Sequence, residues 1–180
     1  MSGYFIGEKQ NLQDILEARD KRVEYQEYLL KEYKNTIVSY KLNTPGAVKY
    51  SSLIKDIFDE GLKALRQKLK EAEIIYKYEK ILYKNSGPEY FAVFYAEEKL
   101  IKKITTDIEE SHPLGRLYDF DVLDAQGNQI SRKGLGLQPR KCLLCNNNAF
   151  ECGRSRKHEI SELTEIIENM AIDYFENKTL

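Results

Sequence analysis

Between residues 36 and 124, strand-like stretches of β-branched and aromatic residues alternate with stretches whose apolar residues are spaced as in a helix. The order of these stretches is the strongest constraint on the fold. Four stretches are rich in β-branched and aromatic residues, which is typical of strands: residues 36–42, 73–83, 90–96 and 117–123. Two stretches, residues 53–69 and 97–111, repeat apolar residues every three or four positions, as amphipathic helices do. The order of strand, helix, two strands, helix and strand predicts an α+β fold with a ferredoxin-like β-α-β-β-α-β sheet.

The length and composition predict a single domain spanning residues 1–180, because 42% hydrophobic residues are enough for one well-buried core. The α+β core occupies residues 36–124. Before it, residues 11–34 predict a helix that Asn11 caps and that packs on the domain. Its apolar positions near a helical period are Leu12, Ile15, Leu16, Val23, Leu30 and Tyr33. After it, residues 125–180 predict a basic, cysteine-containing loop with a short strand at residues 129–132, and then a C-terminal helix capped by Ser161.

The sequence offers no sign of secretion or membrane insertion. It has no apolar run of membrane-spanning length, and its first residues, MSGYFIGEKQ, lack a basic segment followed by a long apolar one. The three cysteines are odd in number and crowded together, unlike a secreted disulfide framework. We therefore expect a cytoplasmic protein that does not act on a membrane.

Two acids on the last predicted strand are candidates for a metal site. Side chains alternate along a strand, so Asp119 and Asp121 project from the same face, with Cα atoms roughly 6.6 Å apart. Two carboxylates placed in this way can bind Mg²⁺ together with substrate phosphates, which suits phosphoryl or nucleotidyl transfer. The alternative is an ordinary solvent-facing pair on an amphipathic strand.

In this topology the last strand lies antiparallel beside the first, which brings two turn segments to one corner of the sheet. Asn43, Gly46 and Lys49 would then face Gly115 and Arg116. The glycines permit close approach of a ligand to the backbone, and the two cations supply charge for its phosphates. The alternative is that both segments are ordinary turns.

Positive charge is concentrated between residues 125 and 157. Seven Lys or Arg stand there against one acid, giving +6 in a chain whose total is −1. Such a segment attracts phosphates or an acidic partner, although a solvated surface is the alternative. Its cations are Arg132, Lys133, Arg140, Lys141, Arg154, Arg156 and Lys157.

The same segment carries a second candidate metal site with the spacing C-x₂-C-x₆-C-x₅-H. Its members, Cys142, Cys145, Cys152 and His158, are the ligand types of a structural Zn²⁺. The spacing is not that of a standard zinc finger, and buried inert cysteines are the alternative. A metal here would be structural and would fix the following basic residues against the strand that carries Asp119.

Four segments together resemble the apo-citrate lyase phosphoribosyl-dephospho-CoA transferase family, also called holo-citrate lyase synthase. They are LNTPGAVKYSSLI, ESHPLGRLYDFDV, ISRKGLGLQPRKCLLC and CGRSRKH, in this order and spacing. The resemblance implies a nucleotidyltransferase that uses 2′-(5″-triphosphoribosyl)-3′-dephospho-CoA. It implies release of diphosphate and attachment of the remaining nucleotide to a serine of the acyl carrier (gamma) subunit of citrate lyase.

The resemblance also implies roles for residues of this chain. Asp119 and Asp121 would hold Mg²⁺ against the triphosphate, and His112 would accept the serine proton. Arg116 and the basic residues would neutralise the leaving diphosphate. The predicted catalytic group is Asp119, Asp121, Arg116 and His112, and the predicted substrate-binding group is Asn43, Gly46, Lys49, Gly115, Arg132, Lys133, Arg140, Arg154 and Arg156.

Two other classes remain open from the residues alone. A small nucleic-acid-binding module with a zinc knuckle would also need basic residues, but the aromatic signature of RNA-binding strands is absent and two acids would repel a phosphate backbone. We therefore expect no nucleic-acid partner. A binding adaptor without chemistry would need neither Asp119 nor Asp121.

Overall fold

The computed structural model describes residues 5–145 and 147–178. This part of the chain forms five α-helices and four β-strands. In chain order they are α1 (Leu12–Tyr33), β1 (Thr36–Leu42), α2 (Ser52–Glu71), β2 (Tyr76–Leu82), β3 (Glu89–Phe94), α3 (Glu98–Ser111), β4 (Tyr118–Leu123), α4 (Ala149–Ser155) and α5 (Ile160–Lys178), with short 3₁₀ turns at Gly115–Leu117 and Lys133–Leu135.

The four strands form one antiparallel sheet in the order β2-β3-β1-β4, so the predicted α+β class is confirmed. The prediction that the last strand pairs antiparallel with the first is also confirmed. In this register Lys41 lies opposite Asp119 and Ser39 lies opposite Asp121. Each second residue of β4 is buried, which leaves the two acids together on the more open face.

The helices cover the two faces of the sheet. On one face α2, α3 and α5 bury the main core, and on the other α1 covers a smaller cluster built around Leu29, Ile37, Phe91 and Val93. The main core forms because α2 is apolar along one side only. The apolar repeat predicted for residues 53–69 is confirmed, because its apolar members on α2 are buried: Leu53, Ile54, Ile57, Phe58, Leu62, Leu65 and Leu69.

Helix α1 packs only in part through the positions that we predicted: Leu30 and Tyr33 pack against the smaller cluster, but other predicted positions face solvent. The capping box at Asn11 is present, but Leu12 is 74% exposed and Leu16 and Val23 are also exposed. The buried residues are Ala18 and Leu29. Tyrosines and charges alternate along this helix, so its apolar residues do not mark one inward face.

The segment after β4 differs from the prediction in three ways. The expected strand at residues 129–132 is reduced to a single bridge between Gln129 and Leu123. Helix α4 was not predicted, because its seven residues show no apolar period. Helix α5 begins at Ile160, so Ser161 lies inside the helix and is not its cap. Within residues 5–145 and 147–178, no helix combines the length and apolar character required to span a membrane.

Candidate active site

A pocket of about 1240 Å³ opens beside β4, between the strand and the basic segment that follows it. Part of its wall is apolar, including Leu137 and the exposed ring of Phe150 on α4. Most of the predicted site residues meet here. Those that line the pocket are Asn43, Asp119, Asp121, Arg132, Lys133, Arg140 and Arg154.

The two strand acids are paired with cations. The Lys41 ammonium forms an ion pair with the Asp119 carboxylate, and its Nζ lies 3.6 Å from Asp121 Oδ2. On the other side, Arg140 Nη2 lies 3.4 Å from Asp119 Oδ1. Burial disfavours a charged Asp119, but Lys41 and Arg140 outweigh it and lower the pKa of this carboxyl. Asp121 Oδ1 accepts a hydrogen bond from the Gln129 side chain. Asp119 is therefore held ionised at the pocket wall, and the Gln129 hydrogen bond fixes the carboxylate of Asp121 beside it.

A buried carboxylate that we did not predict organises the pocket arginines. Glu109, on α3, is only 2% exposed and accepts hydrogen bonds from Arg132 Nη2 at 2.7 Å and from Arg140 Nη2. It also accepts one from the backbone N–H of Phe120 at 3.1 Å. A buried charge is tolerated only when it is paired and hydrogen-bonded, as here. Glu109 thus connects α3, β4 and both arginines.

Two lysines of the site were also missed. Lys102 is 5% exposed, lines the pocket, and donates from Nζ to the backbone oxygen of Phe120 at 2.9 Å. Its burial lowers the pKa of its ammonium. Lys41 lies near the end of β1, and nothing in its sequence position marks it as part of a site. Lys102 and Glu109 could have been identified from their position in the sequence. Both fall on the apolar side of α3, where an unpaired charge would be costly.

Gly115 and Arg116 line a smaller adjoining pocket of about 250 Å³. The two pockets share Arg132 and Arg140. Arg116 Nη2 is buried, and no acceptor among the described residues lies within hydrogen-bond range of it. Buried donors are normally paired, so this unpaired nitrogen is a candidate for binding an anion in the smaller pocket.

His112 lies outside both pocket linings. Its ring packs between Tyr118 and Tyr174, with ring centroids 5.1 and 5.2 Å away. The backbone N–H of Leu114 donates to Nδ1 at 3.1 Å, and the Tyr118 hydroxyl lies at the same distance. Burial lowers the pKa of this histidine. His112 therefore lies between two tyrosines at the C-terminal end of α3, where burial favours its neutral form over its charged form.

Three more predicted residues are also away from the main pocket. Gly46 has a φ of +78°, which favours glycine, and its open side faces the Ile160 side chain. Lys49 donates from Nζ to the backbone oxygen of Thr44, and burial lowers its pKa. Arg156 ends α4 in a left-handed conformation and is exposed.

The cysteine segment folds so that its four candidate ligands meet. One ligand atom from each of Cys142, Cys145, Cys152 and His158 lies within 4.8 Å of all the others. The Cys145 Sγ is 3.5 Å from Cys152 Sγ and 3.3 Å from His158 Nε2. All three thiols are free. Burial disfavours the thiolate, but the backbone N–H groups of Cys145 and Leu144 donate to Cys142 and lower its pKa to about 7.

Comparison with known proteins gives one consistent result. Residues 10–174 match the family model described as apo-citrate lyase phosphoribosyl-dephospho-CoA transferase. A Citrobacter koseri protein with that name is 37% identical over 153 residues, which cover 85% of this chain and 84% of its own. Proteins from Vibrio cholerae (38%, covering 91% of this chain and 93% of theirs) and Streptococcus pyogenes (36%, 96% and 91%) carry the same name preceded by "Probable".

Proposed function

The chain belongs to the apo-citrate lyase phosphoribosyl-dephospho-CoA transferase family, a family of enzymes, and from this membership we propose that it attaches a phosphoribosyl-dephospho-CoA group to apo-citrate lyase. The proposed donor is 2′-(5″-triphosphoribosyl)-3′-dephospho-CoA. The proposed acceptor is a serine hydroxyl of the lyase's acyl carrier (gamma) subunit, in the cytoplasm. We assign the sheet to the ferredoxin-like class on its strand order.

One observation supports this reaction above all: four cations from the segment after β4 line the same pocket as the two strand acids. A triphosphate is strongly anionic, and arginine forks suit phosphate oxygens. The volume of about 1240 Å³ exceeds the usual range for small ligands, roughly 300–1,000 Å³, as a large nucleotide donor requires. The four cations are Arg132, Lys133, Arg140 and Arg154.

In the proposed step the serine oxygen attacks the α-phosphorus of the triphosphate, and the bond from that phosphorus to the diphosphate oxygen breaks. A phosphodiester forms, diphosphate leaves with the negative charge, and the serine proton passes to a base. Arg132 and Arg140, which Glu109 holds in place, lie where they can stabilise the departing charge. His112 does not line the pocket, and its role as that base stays a prediction. The transfer rate of His112→Gln would test it.

The donor groups at the acids fit a magnesium ion. Asp119 and Asp121 offer carboxylate oxygens at the pocket wall, the ligand type that Mg²⁺ prefers. The Lys41 ammonium lies between the two carboxylates, so it must move aside for an ion to bind both. We propose that the substrate phosphates attract it away. Bound there, Mg²⁺ would neutralise phosphate charge as the diphosphate leaves.

The acceptor fits the charge of the site. Acyl carrier proteins are generally acidic, and the segment that closes the pocket has a net charge of +6 over residues 125–157. We propose that the carrier docks on this segment and presents its serine to the pocket. The zinc site considered in the next subsection lies within the same segment.

The test is diphosphate release from the triphosphate donor, measured with and without the apo carrier subunit. We expect release only when the carrier is present, and loss of release when both Asp119→Asn and Asp121→Asn are introduced. A carrier whose acceptor serine is replaced by alanine is the matched control and should give none. Equal diphosphate release with and without the carrier would contradict the proposal, as would a double variant that is as active as the parent.

A further inference from the structure

The segment that closes the pocket has almost no hydrophobic core of its own. Among the described residues between 125 and 160, the only two buried ones are Cys142 and Cys152. Nevertheless, this segment contains one helix and holds its pocket residues in fixed places. Ile130 and Leu143 pack against the main core, and Arg132 and Arg140 pair with Glu109. The stretch from residue 142 to residue 158 has little such support, so a further interaction is required to hold it in place.

We propose that Cys142, Cys145, Cys152 and His158 bind one structural Zn²⁺. In a tetrahedral site with Zn–S bonds of about 2.3 Å, two sulfurs lie about 3.8 Å apart. The four ligand atoms lie within 4.8 Å of one another, with Sγ–Sγ and Sγ–Nε2 contacts of 3.5 and 3.3 Å. A disulfide would need about 2.05 Å, so the sulfurs are spaced for a shared ion. Three cysteines and one histidine form a closed structural set with no open position for chemistry.

The backbone around the cysteines supports the same ion. Arg140 and Ala149 are joined by a backbone hydrogen bond of 2.9 Å, and the N–H of Cys142 donates to the oxygen of Asn147 at 2.8 Å. These bonds close a loop that presents Cys142 and Cys145 from one turn. The N–H groups of Leu144 and Cys145 donate back to the Cys142 sulfur, an arrangement that stabilises a coordinated thiolate.

Positive charge nearby balances the site. Three thiolates and a neutral histidine around Zn²⁺ carry a net charge of −1. Lys157 Nζ lies 3.9 Å from Cys145 Sγ, and Arg154 and Arg156 belong to the same short stretch. The Lys157 ammonium offsets part of the negative charge of the proposed site.

The ligands alternate with residues that line the pocket. Arg140 stands two positions before Cys142, and Phe150 and Arg154 stand two positions on either side of Cys152. Fixing the cysteines therefore fixes these three side chains relative to β4. The importance of these three side chains for transfer rests on the proposed function, whereas the presence of zinc does not.

The test begins with metal content. We expect the full chain, purified under reducing conditions without chelator, to contain one zinc per chain by elemental mass spectrometry. Exchange with Co²⁺ should give the visible and thiolate charge-transfer bands of a tetrahedral cysteine-rich site. Cys145→Ser and His158→Gln should lose zinc. His158→Cys should keep it, because four cysteines also form a structural set.

The controls separate this site from others. The chain's second histidine is the matched control, so His112→Gln should retain its zinc. Reduced wild-type protein that contains no zinc and takes up no cobalt would overturn the proposal, as would zinc that survives in both Cys145→Ser and His158→Gln. If the variants fail to fold, the cobalt spectrum of the wild-type protein decides. Zinc without any transfer would contradict only the proposed function, and transfer without zinc only this inference.

Discussion

Lys41 on β1 and Asp119 on β4 face each other across the sheet, and their side chains form an ion pair at the wall of the pocket. The ammonium also lies within 4 Å of Asp121. A cation of the protein thus stands where a metal held by both acids would bind. Lysine and metal therefore compete for the same carboxylates, and this competition can be measured.

Replacing Lys41 by Gln should strengthen metal binding at the acids. We expect the affinity for Mn²⁺, used as a paramagnetic substitute for Mg²⁺, to rise about tenfold or more, because a competing charge within 4 Å is removed. Electron paramagnetic resonance titration measures it. Lys103→Gln, an exposed position on α3, is the matched control and should change nothing. If neither the parent nor Lys41→Gln binds Mn²⁺, with or without the triphosphate donor, the acids are not a metal site.

Removing either acid should abolish most transfer. Asp119→Asn and Asp121→Asn each delete one carboxylate from the pocket wall, and we expect the transfer rate to fall by about a hundredfold or more. Asp107→Asn, on the exposed side of α3, should keep the parental rate. Circular dichroism should show folded protein in all three. Transfer close to the parental rate at limiting Mg²⁺ in either pocket variant would argue against the metal assignment.

Glu109 should matter for both stability and donor binding. Glu109→Gln leaves Arg132 and Arg140 without their buried counter-charge, so we expect a loss of about 3 kcal/mol in the free energy of unfolding. We also expect a higher KM for the triphosphate donor. The neighbouring Glu110 is the matched control: it too pairs with Arg132, but it is 53% exposed, and Glu110→Gln should cost less than about 1 kcal/mol. Equal effects of the two variants in urea unfolding would show that Glu109 does not organise the site.

The elements that the sequence predicted well are those whose local pattern and tertiary surroundings agree. Helix α2 is one, because its apolar period matches the face that it buries. The charged side chains that shape the pocket were missed, because a lysine or glutamate is buried only when a partner distant in sequence is close in space. Lys41 finds its partner 78 residues away, and Glu109 finds Arg140 31 residues away. No local pattern encodes such pairs.

In the segment after β4, the sequence predicted one feature and missed another. Its cysteine spacing predicted a cluster, and the four side chains do meet. Helix α4, which contains the third cysteine, was not predictable, because seven residues without an apolar face carry no periodic signal. The folded conformation of this segment depends on side chains that converge from separate turns.

The half-buried histidine His112 predicts a pH dependence of stability. The pKa of His112 is lowered from its ordinary value of 6.5 by burial, so its contribution to stability is complete above 6.5 and is lost as the pH falls towards the folded-state pKa. We expect the urea midpoint of the parent to fall more between pH 7.5 and 5.5 than that of His112→Gln. Both proteins keep His158, so its protonation cancels in the comparison. Identical falls in the two proteins would show that His112 is not held neutral by the fold.

The proposed transfer of a phosphoribosyl-dephospho-CoA group to a carrier subunit is tested most directly by the intact mass of that carrier. The full chain is mixed with Mg²⁺, the triphosphoribosyl-dephospho-CoA donor and apo acyl carrier subunit, and the carrier is weighed by mass spectrometry. We predict a single mass increase equal to the donor minus diphosphate, located by fragmentation on one serine. An unchanged carrier mass, under conditions in which a relative such as the Citrobacter koseri protein modifies the same carrier, would contradict the proposed transfer.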